Sequence, residues 1–293
     1  MSSIENEIFV LYSNTGGGVY YNARKAKRRG YHDQSSLLQI GVYTASTFET
    51  ERHIQINCTM SGDVYRTNSS QNAYALAACS NNKCLYVSDK NDCVVHNVNV
   101  RAKETTPISQ WSVESPPYGL STNSVHNVLV ACGDDCMFLE YTTYGLLVRK
   151  INLRPHIEYP VQVVQLFSGR YGIIHQGSTP GYSVVDDNGQ VINRYTKPGI
   201  LVSDIDSKRF LRRRQTDVLR THCTLAVVHP RKVSQINNRI LVLTETENSF
   251  TDEWLPQGIC GALNQPSCIH YDASRRRLYI GEYDSGRVLC CGP

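Results

Sequence analysis

Residues 84–100, CLYVSDKNDCVVHNVNV, decide how the rest of the chain is read. Two runs, 85–88 and 94–98, are rich in β-branched and aromatic residues, and the polar turn 89–92 (DKND) lies between them. Short apolar runs of this kind bounded by turn residues read as a β-hairpin.

The hairpin recurs along the chain. Residues 127–153, NVLVACGDDCMFLEYTTYGLLVRKINL, alternate strand, turn, strand, turn and strand, and residues 170–195 repeat that order around the tight-turn signal DDNGQ. Residues 277–291, RLYIGEYDSGRVLCC, echo the first hairpin, with Leu278, Tyr279 and Ile280 in the places of Leu85, Tyr86 and Val87. Residues 237–245 (NNRILVLTE) read as half of another copy, and residues 7–13 and 37–56 as one more, split by an insertion. No long window carries a helical period, which excludes alternating strand–helix units. Units of three or four short strands repeating every 40 or so residues predict the blades of a propeller, because a lone blade cannot bury both faces. The chain is therefore expected to be all-β: one domain over 1–293, a six-bladed β-propeller of four-stranded antiparallel blades around a central channel. The blades are placed near 7–57, 72–113, 117–153, 160–196, 222–256 and 265–293, with insertions at 14–36 and 197–221. The first copy is expected to lack its innermost strand and the last its outermost one.

Several stretches resemble the NHL-repeat propellers: LYVSDKNDCVV, PPYGLSTNSVHNVLVAC, INNRILVL and QPSCIHYDASRRRLYIGEYDSGRVLCC. They span the chain from about Tyr74 onward and are most similar to the divergent NHL-like regions at the C-terminal end of animal tripartite-motif-type proteins. The resemblance implies an interaction module that binds protein or RNA. The chain departs from the pattern in its fifth copy, where HPRKVSQI stands before NNRILVL, implying a shortened or irregular inner hairpin. No Cys/His series with zinc-site spacing precedes the repeats.

The net charge of +4 is too small to fix a partner class, so its distribution has to. One cluster joins Arg24, Lys25, Lys27, Arg28 and Arg29 with Tyr20, Tyr21 and Tyr31. A second joins Lys208, Arg209, Arg212, Arg213 and Arg214 with Phe210, and a third run is Arg275 to Arg277. The first two fall in the two insertions, and blade-connecting loops emerge on the rims where propellers bind partners. Cations interleaved with aromatic rings neutralise phosphates and stack bases. The expected partner is accordingly a protein or single-stranded RNA.

The competing class is a metal-dependent hydrolase or lyase of the lactonase or strictosidine-synthase-like type, which needs oxygen and nitrogen donors converging on the channel. The polar candidates, Asn72, Asn123, His175, His222 and His270, share no position in the repeat. Asp89, Asp186 and Asp187 sit at hairpin turns, where bonding to backbone amides is expected. Cys79 with Cys84, and Cys132 with Cys136, have ligand-like spacing but fall in different blades, whereas a zinc site needs four converging ligands. No metal, cofactor or catalytic residue is therefore assigned. The 11 Cys are expected to be reduced, many as small buried hydrophobes. With neither a secretory signal nor a run of about 18 apolar residues, the expectation is a cytoplasmic protein with no membrane span.

Overall fold

The computed structural model describes residues 2–5, 7–13, 38–45, 47, 49–56, 75–100, 109–166, 168–195, 200–213, 218–230, 239–245, 250–254, 263, 266–272, 275, 277–282 and 288–291. Among them every regular element is a β-strand. The chain divides by internal packing into two units, Ser2–Tyr118 and Gly119–Pro293.

The first unit holds two antiparallel sheets. In one, β1 (Ser2–Ile4), β2 (Glu7–Ser13), β3 (Leu38–Thr44) and β4 (Thr50–Ile56) follow in chain order. In the next, so do β5 (Leu76–Cys79), β6 (Cys84–Asp89), β7 (Val94–Asn99) and β8 (Ser109–Ser112). Phe9, Ile40, Val42 and Ile54 of the first pack on Leu85, Val87, Val98 and Val100 of the second. Each such buried side chain contributes about 1.5–3 kcal/mol relative to exposure. The first copy is not short of a strand, contrary to expectation: β1 pairs β2 through Ser2↔Phe9 and Ile4↔Glu7. Three residues at the start of the chain are too few for their period to be read.

The second unit continues the series. Strand β9 (Pro117–Thr122) crosses the boundary and leads into β10 (Val128–Cys132), β11 (Met137–Tyr141) and β12 (Leu147–Asn152). Then come β13 (Pro160–Gln165), β14 (Tyr171–His175), β15 (Gly181–Val185) and β16 (Val191–Tyr195). The fifth sheet is β17 (Ile200–Arg213), β18 (Val218–Pro230), β19 (Arg239–Glu245) and β20 (Phe250–Trp254). The sixth, β21 (Pro266–Asp272), β22 (Arg277–Glu282) and β23 (Val288–Cys291), has three strands among the described residues, as expected. Apolar clusters join neighbouring sheets. Leu129, Phe138 and Ile151 meet Val163, Tyr171 and Ile173; Ile174, Tyr182 and Val184 meet Leu243; Ile240 meets Ile269, Leu278 and Ile280. Consecutive four-stranded antiparallel meanders packed face to face are blades in a propeller arrangement.

The fifth sheet corrects the expected boundaries. Residues 197–221, read as an insertion, carry β17 to Arg213 and the start of β18, so the sheet begins at Ile200 rather than near 222. Its first hairpin is long rather than shortened, and it is irregular, its register shifting between Val202 and Asp204.

Local chemistry fixes the turns. Asp89 Oδ1 accepts from the amides of Asn91 and Asp92 at 2.9 and 3.2 Å, and Asp186 Oδ1 from those of Asn188 and Gln190 at 2.9 and 2.8 Å. Lys83, Cys93 and Cys136 close three turns in the left-handed conformation, with φ of 50°, 53° and 52°, at a cost of about 1–2 kcal/mol for a residue with a Cβ. At Gly119 a Cβ would lie 2.3 Å from the Val161 carbonyl oxygen, so only glycine lets these two backbones approach.

Candidate functional site

Two of the polar residues weighed as metal ligands, Asn123 and His175, are held in hydrogen bonds of the interior. Glu140, on β11, is 3% exposed. Its Oε1 accepts from Asn123 and Asn127 Nδ2, each at 2.7 Å, and its Oε2 from Arg149 Nε at 2.5 Å. Burial raises the carboxyl pKa, but the bonds from Asn127, Arg149 and Asn123 outweigh it and hold the group below its ordinary value. Arg149 also donates to the Tyr171 hydroxyl, lies 5.3 Å from that ring's centroid, and reaches Asp187 Oδ1 at 3.4 Å. A carboxylate with three donors already in place is a structural clamp. It ties the third sheet to the fourth.

His175 and Ser183 form a second buried pair, 1% and 0% exposed, with Nε2 and Oγ 2.9 Å apart. Arg194 Nε donates to the same hydroxyl at 3.3 Å, and its Nη2 to the His156 carbonyl. Burial, reinforced by the Arg194 charge, pushes the His175 pKa down to about 4 against the opposing Glu158, so the ring is neutral at pH 7. Glu158 itself caps the next turn, accepting from Ser178 N at 2.9 Å and Ser178 Oγ at 2.8 Å. A serine–histidine pair suits nucleophilic catalysis only where substrate reaches the hydroxyl, and this hydroxyl has no exposure.

The second sheet carries another buried acid–base pair. Asp89 is 0% exposed and His96 4% exposed. Burial raises the Asp89 pKa against the two turn amides, and burial lowers that of His96 against the Asp89 charge. Cys79 and Cys84, directly opposed across β5 and β6, are free and buried, and burial pushes the Cys84 thiol up to about 11. Cys132 and Cys136 are also free and belong to the third sheet, so the two pairs do lie in different blades. Among the described residues no group of three His, Cys, Asp or Glu could hold a metal ion. The expectation of reduced thiols throughout is corrected at one position, since Cys291 is in a disulfide.

Of the two basic clusters, Tyr20, Tyr21, Arg24, Lys25, Lys27, Arg28, Arg29 and Tyr31 lie outside the described residues, as do Arg214 and Asn72. Lys208, Arg209, Phe210, Arg212 and Arg213 lie on β17 and His222 on β18, not in a loop. Their backbone pairing is continuous, from Lys208↔Cys223 through Arg209↔His222 and Leu211↔Arg220 to Arg213↔Val218. Strand β19 joins β18 only from Cys223 to Val228. Among the described residues, the sheet continues beyond Cys223 as the two paired strands β17 and β18. The third basic run divides: Arg275 is held by Asp272, which is 6% exposed, through Nη1 to Oδ2 at 2.5 Å and N to Oδ1 at 3.2 Å.

The sequence pointed to the ribbon's residues but not to their element, and it missed Glu140 altogether. The one available signal for Glu140 was a carboxylate inside the apolar run MFLEY.

No protein-family model matches the chain, and a search of curated proteins finds no match. Solved structures do match. Hydrazine synthase of Kuenenia stuttgartiensis is 15% identical, covering 87% of this chain and 72% of its own, with a TM-score of 0.57. A chain of the mitotic checkpoint complex is 10% identical over 88% of this chain and 72% of its own, with a TM-score of 0.54. A streptogramin B lyase is 10% identical over 88% and 76%, with a TM-score of 0.53. The chain has the β-propeller fold. The matched chains come from enzymes and from an assembly, and so share the scaffold rather than one activity.

Proposed function

We propose that the chain is a non-catalytic interaction module, an NHL-like propeller, that binds an anionic partner, RNA or an acidic protein face, through its basic segments. The observation that carries this reading is the ribbon of β17 and β18. Residues 208–222 hold six Lys and Arg against a single acid, Asp217, and the strand pairing sets five of those cations on one element: Lys208, Arg209, Arg212, Arg213 and Arg220. The NHL-like reading rests on the motifs quoted above. The reading as a metal-dependent hydrolase or lyase has less support, because Asn123 and Glu140 bond each other and Asp89 and Asp186 bond their own turns.

The test is fluorescence anisotropy of a mixed-sequence single-stranded RNA with the purified chain at about 50 and 200 mM salt. Neutralising about five phosphates predicts roughly a hundredfold weakening between the two. Replacing Arg28, Arg29, Arg213 and Arg214 by Glu should abolish binding and leave the melting temperature unchanged. Undiminished affinity in that variant would remove the basic segments from the interface.

A further inference from the structure

We infer that one end of the third and fourth sheets is a contact surface for a second copy of this chain. Among the described residues six large apolar side chains are exposed, from 42% for Ile192 to 87% for Tyr144, and all of them gather there: Val125, Tyr144, Leu146, Leu147, Val148 and Ile192. The pairing Val128↔Tyr141 sets the β9–β10 turn, which carries Val125, beside the β11–β12 turn, which carries Tyr144 and Leu146. The Ser124 amide donates to Gln165 Oε1, at the end of β13, at 2.8 Å, and Arg149 reaches Asp187 in the β15–β16 turn, so the fourth sheet presents the same end. Leu147 and Val148 open β12, and Ile192 lies at the start of β16. Val148 and Ile192 are the extra residues of two bulges, where the register shifts between Glu140 and Tyr141 and between Val184 and Val185.

The turns are fixed in the shape that presents these side chains. Asn123 Oδ1 accepts from the amides of Val125 and Asn127 at 3.1 and 2.8 Å, and Thr142 Oγ1 from that of Leu146 at 3.1 Å. A surface already ordered loses little freedom on binding. Chemistry then selects the occupant. The four turns 123–127, 142–146, 166–170 and 186–190, with β11 and β12, carry three cations, Arg149, Lys150 and Arg170, and three acids, Glu140, Asp186 and Asp187. Arg149 is itself bonded to two of those acids. A patch without net charge attracts neither a polyanion nor an anionic lipid layer, and it complements no charged protein face. It matches a surface as apolar and as neutral as itself, which a second copy supplies through a two-fold axis. Homodimer contacts are the more apolar class of interface. The six side chains expose on the order of 450 Å². Two copies therefore bury about 900 Å² of it, and with the rim they reach the low end of specific interfaces, about 1,000–1,200 Å². The dimer is accordingly weak and reversible.

The test is sedimentation velocity of the full chain from about 1 to 200 µM. Dimer should appear in the micromolar range, and it should hold or tighten as salt rises, because no ion pair closes it. L146E/V148E sets like charges against each other across the axis and should leave only monomer at every concentration, with the melting temperature unchanged. Should that variant not fold, Y144S/L146S should weaken the dimer by about tenfold or more. Monomer alone at the highest concentration, undiminished dimer in a folded variant, or a dimer that salt dissolves would overturn the inference. So would a dimer held only by a disulfide of exposed Cys290, which non-reducing electrophoresis reveals. Monomer that sediments with anionic phospholipid vesicles, and no longer does so as Y144S/L146S, would give the surface to a membrane and overturn the second copy. The patch includes no residue of the basic clusters, so this test and the RNA titration can fail separately.

Discussion

The third and fourth sheets and the β17–β18 ribbon belong to one unit of the chain, yet they handle charge in opposite ways. In the sheets, each charged group of the interior has partners close by: Glu140 has two amides and a guanidinium, and Arg149 adds a phenol and Asp187. The segment 208–222, by contrast, holds six cations with one acid among its fifteen residues. The first arrangement exists because a buried carboxylate without donors is costly; the second gathers like charge in one stretch of the chain. Like charge gathered in one stretch is where an anionic ligand is to be sought.

The contrast breaks first at Glu140. Glu140→Ala should cost about 2–4 kcal/mol, since it leaves the Asn123 and Asn127 amides and the Arg149 guanidinium without their acceptor. Urea denaturation measures this, and a loss under about 0.5 kcal/mol would mean that water replaces the carboxylate freely. His175 gives the next largest effect. Its folded pKa of about 4 lies below the ordinary value of 6.5, so the unfolded chain takes up the proton first. The stability due to the neutral ring is full above about pH 6.5 and is lost as pH falls toward 4, at up to about 1.4 kcal/mol per pH unit. His175→Gln should flatten that slope in a series of urea midpoints. An unchanged slope would assign the acid sensitivity to other groups. The smallest change is a gain: Cys136→Gly relieves the left-handed φ of 52° and should raise stability by about 0.5–1 kcal/mol. A loss instead would show that the Cys136 side chain contributes packing worth more than the strain.

How much of this was legible follows from where each segment has water. Strands β6, β11, β14 and β15 are buried along their whole length, so they stand out as unbroken apolar runs between turn residues. The end of β17 has no such pattern. SKRFLRR carries no alternation of apolar and polar residues, so it reads as a loop. The aspartates at the turns were readable because an Asx turn is local in sequence. The Glu140 clamp was not, because Arg149 and Tyr171 come from different strands, and only the folded register sets them beside it. His175 was visible as a polar residue at the end of an apolar run, but its partner Ser183 was found only through the cross-strand register.

The opposed thiols of Cys79 and Cys84 make the second sheet a clock for its own opening. Both are buried, and a proton bound with a pKa of about 11 keeps Cys84 from attacking an alkylating reagent. Exposed Cys290 is free as well and will react at once, setting the zero of time. The delayed modification of Cys79 and Cys84, read at those two positions apart from the other free thiols Cys93, Cys132 and Cys136, then counts how often β5 and β6 separate.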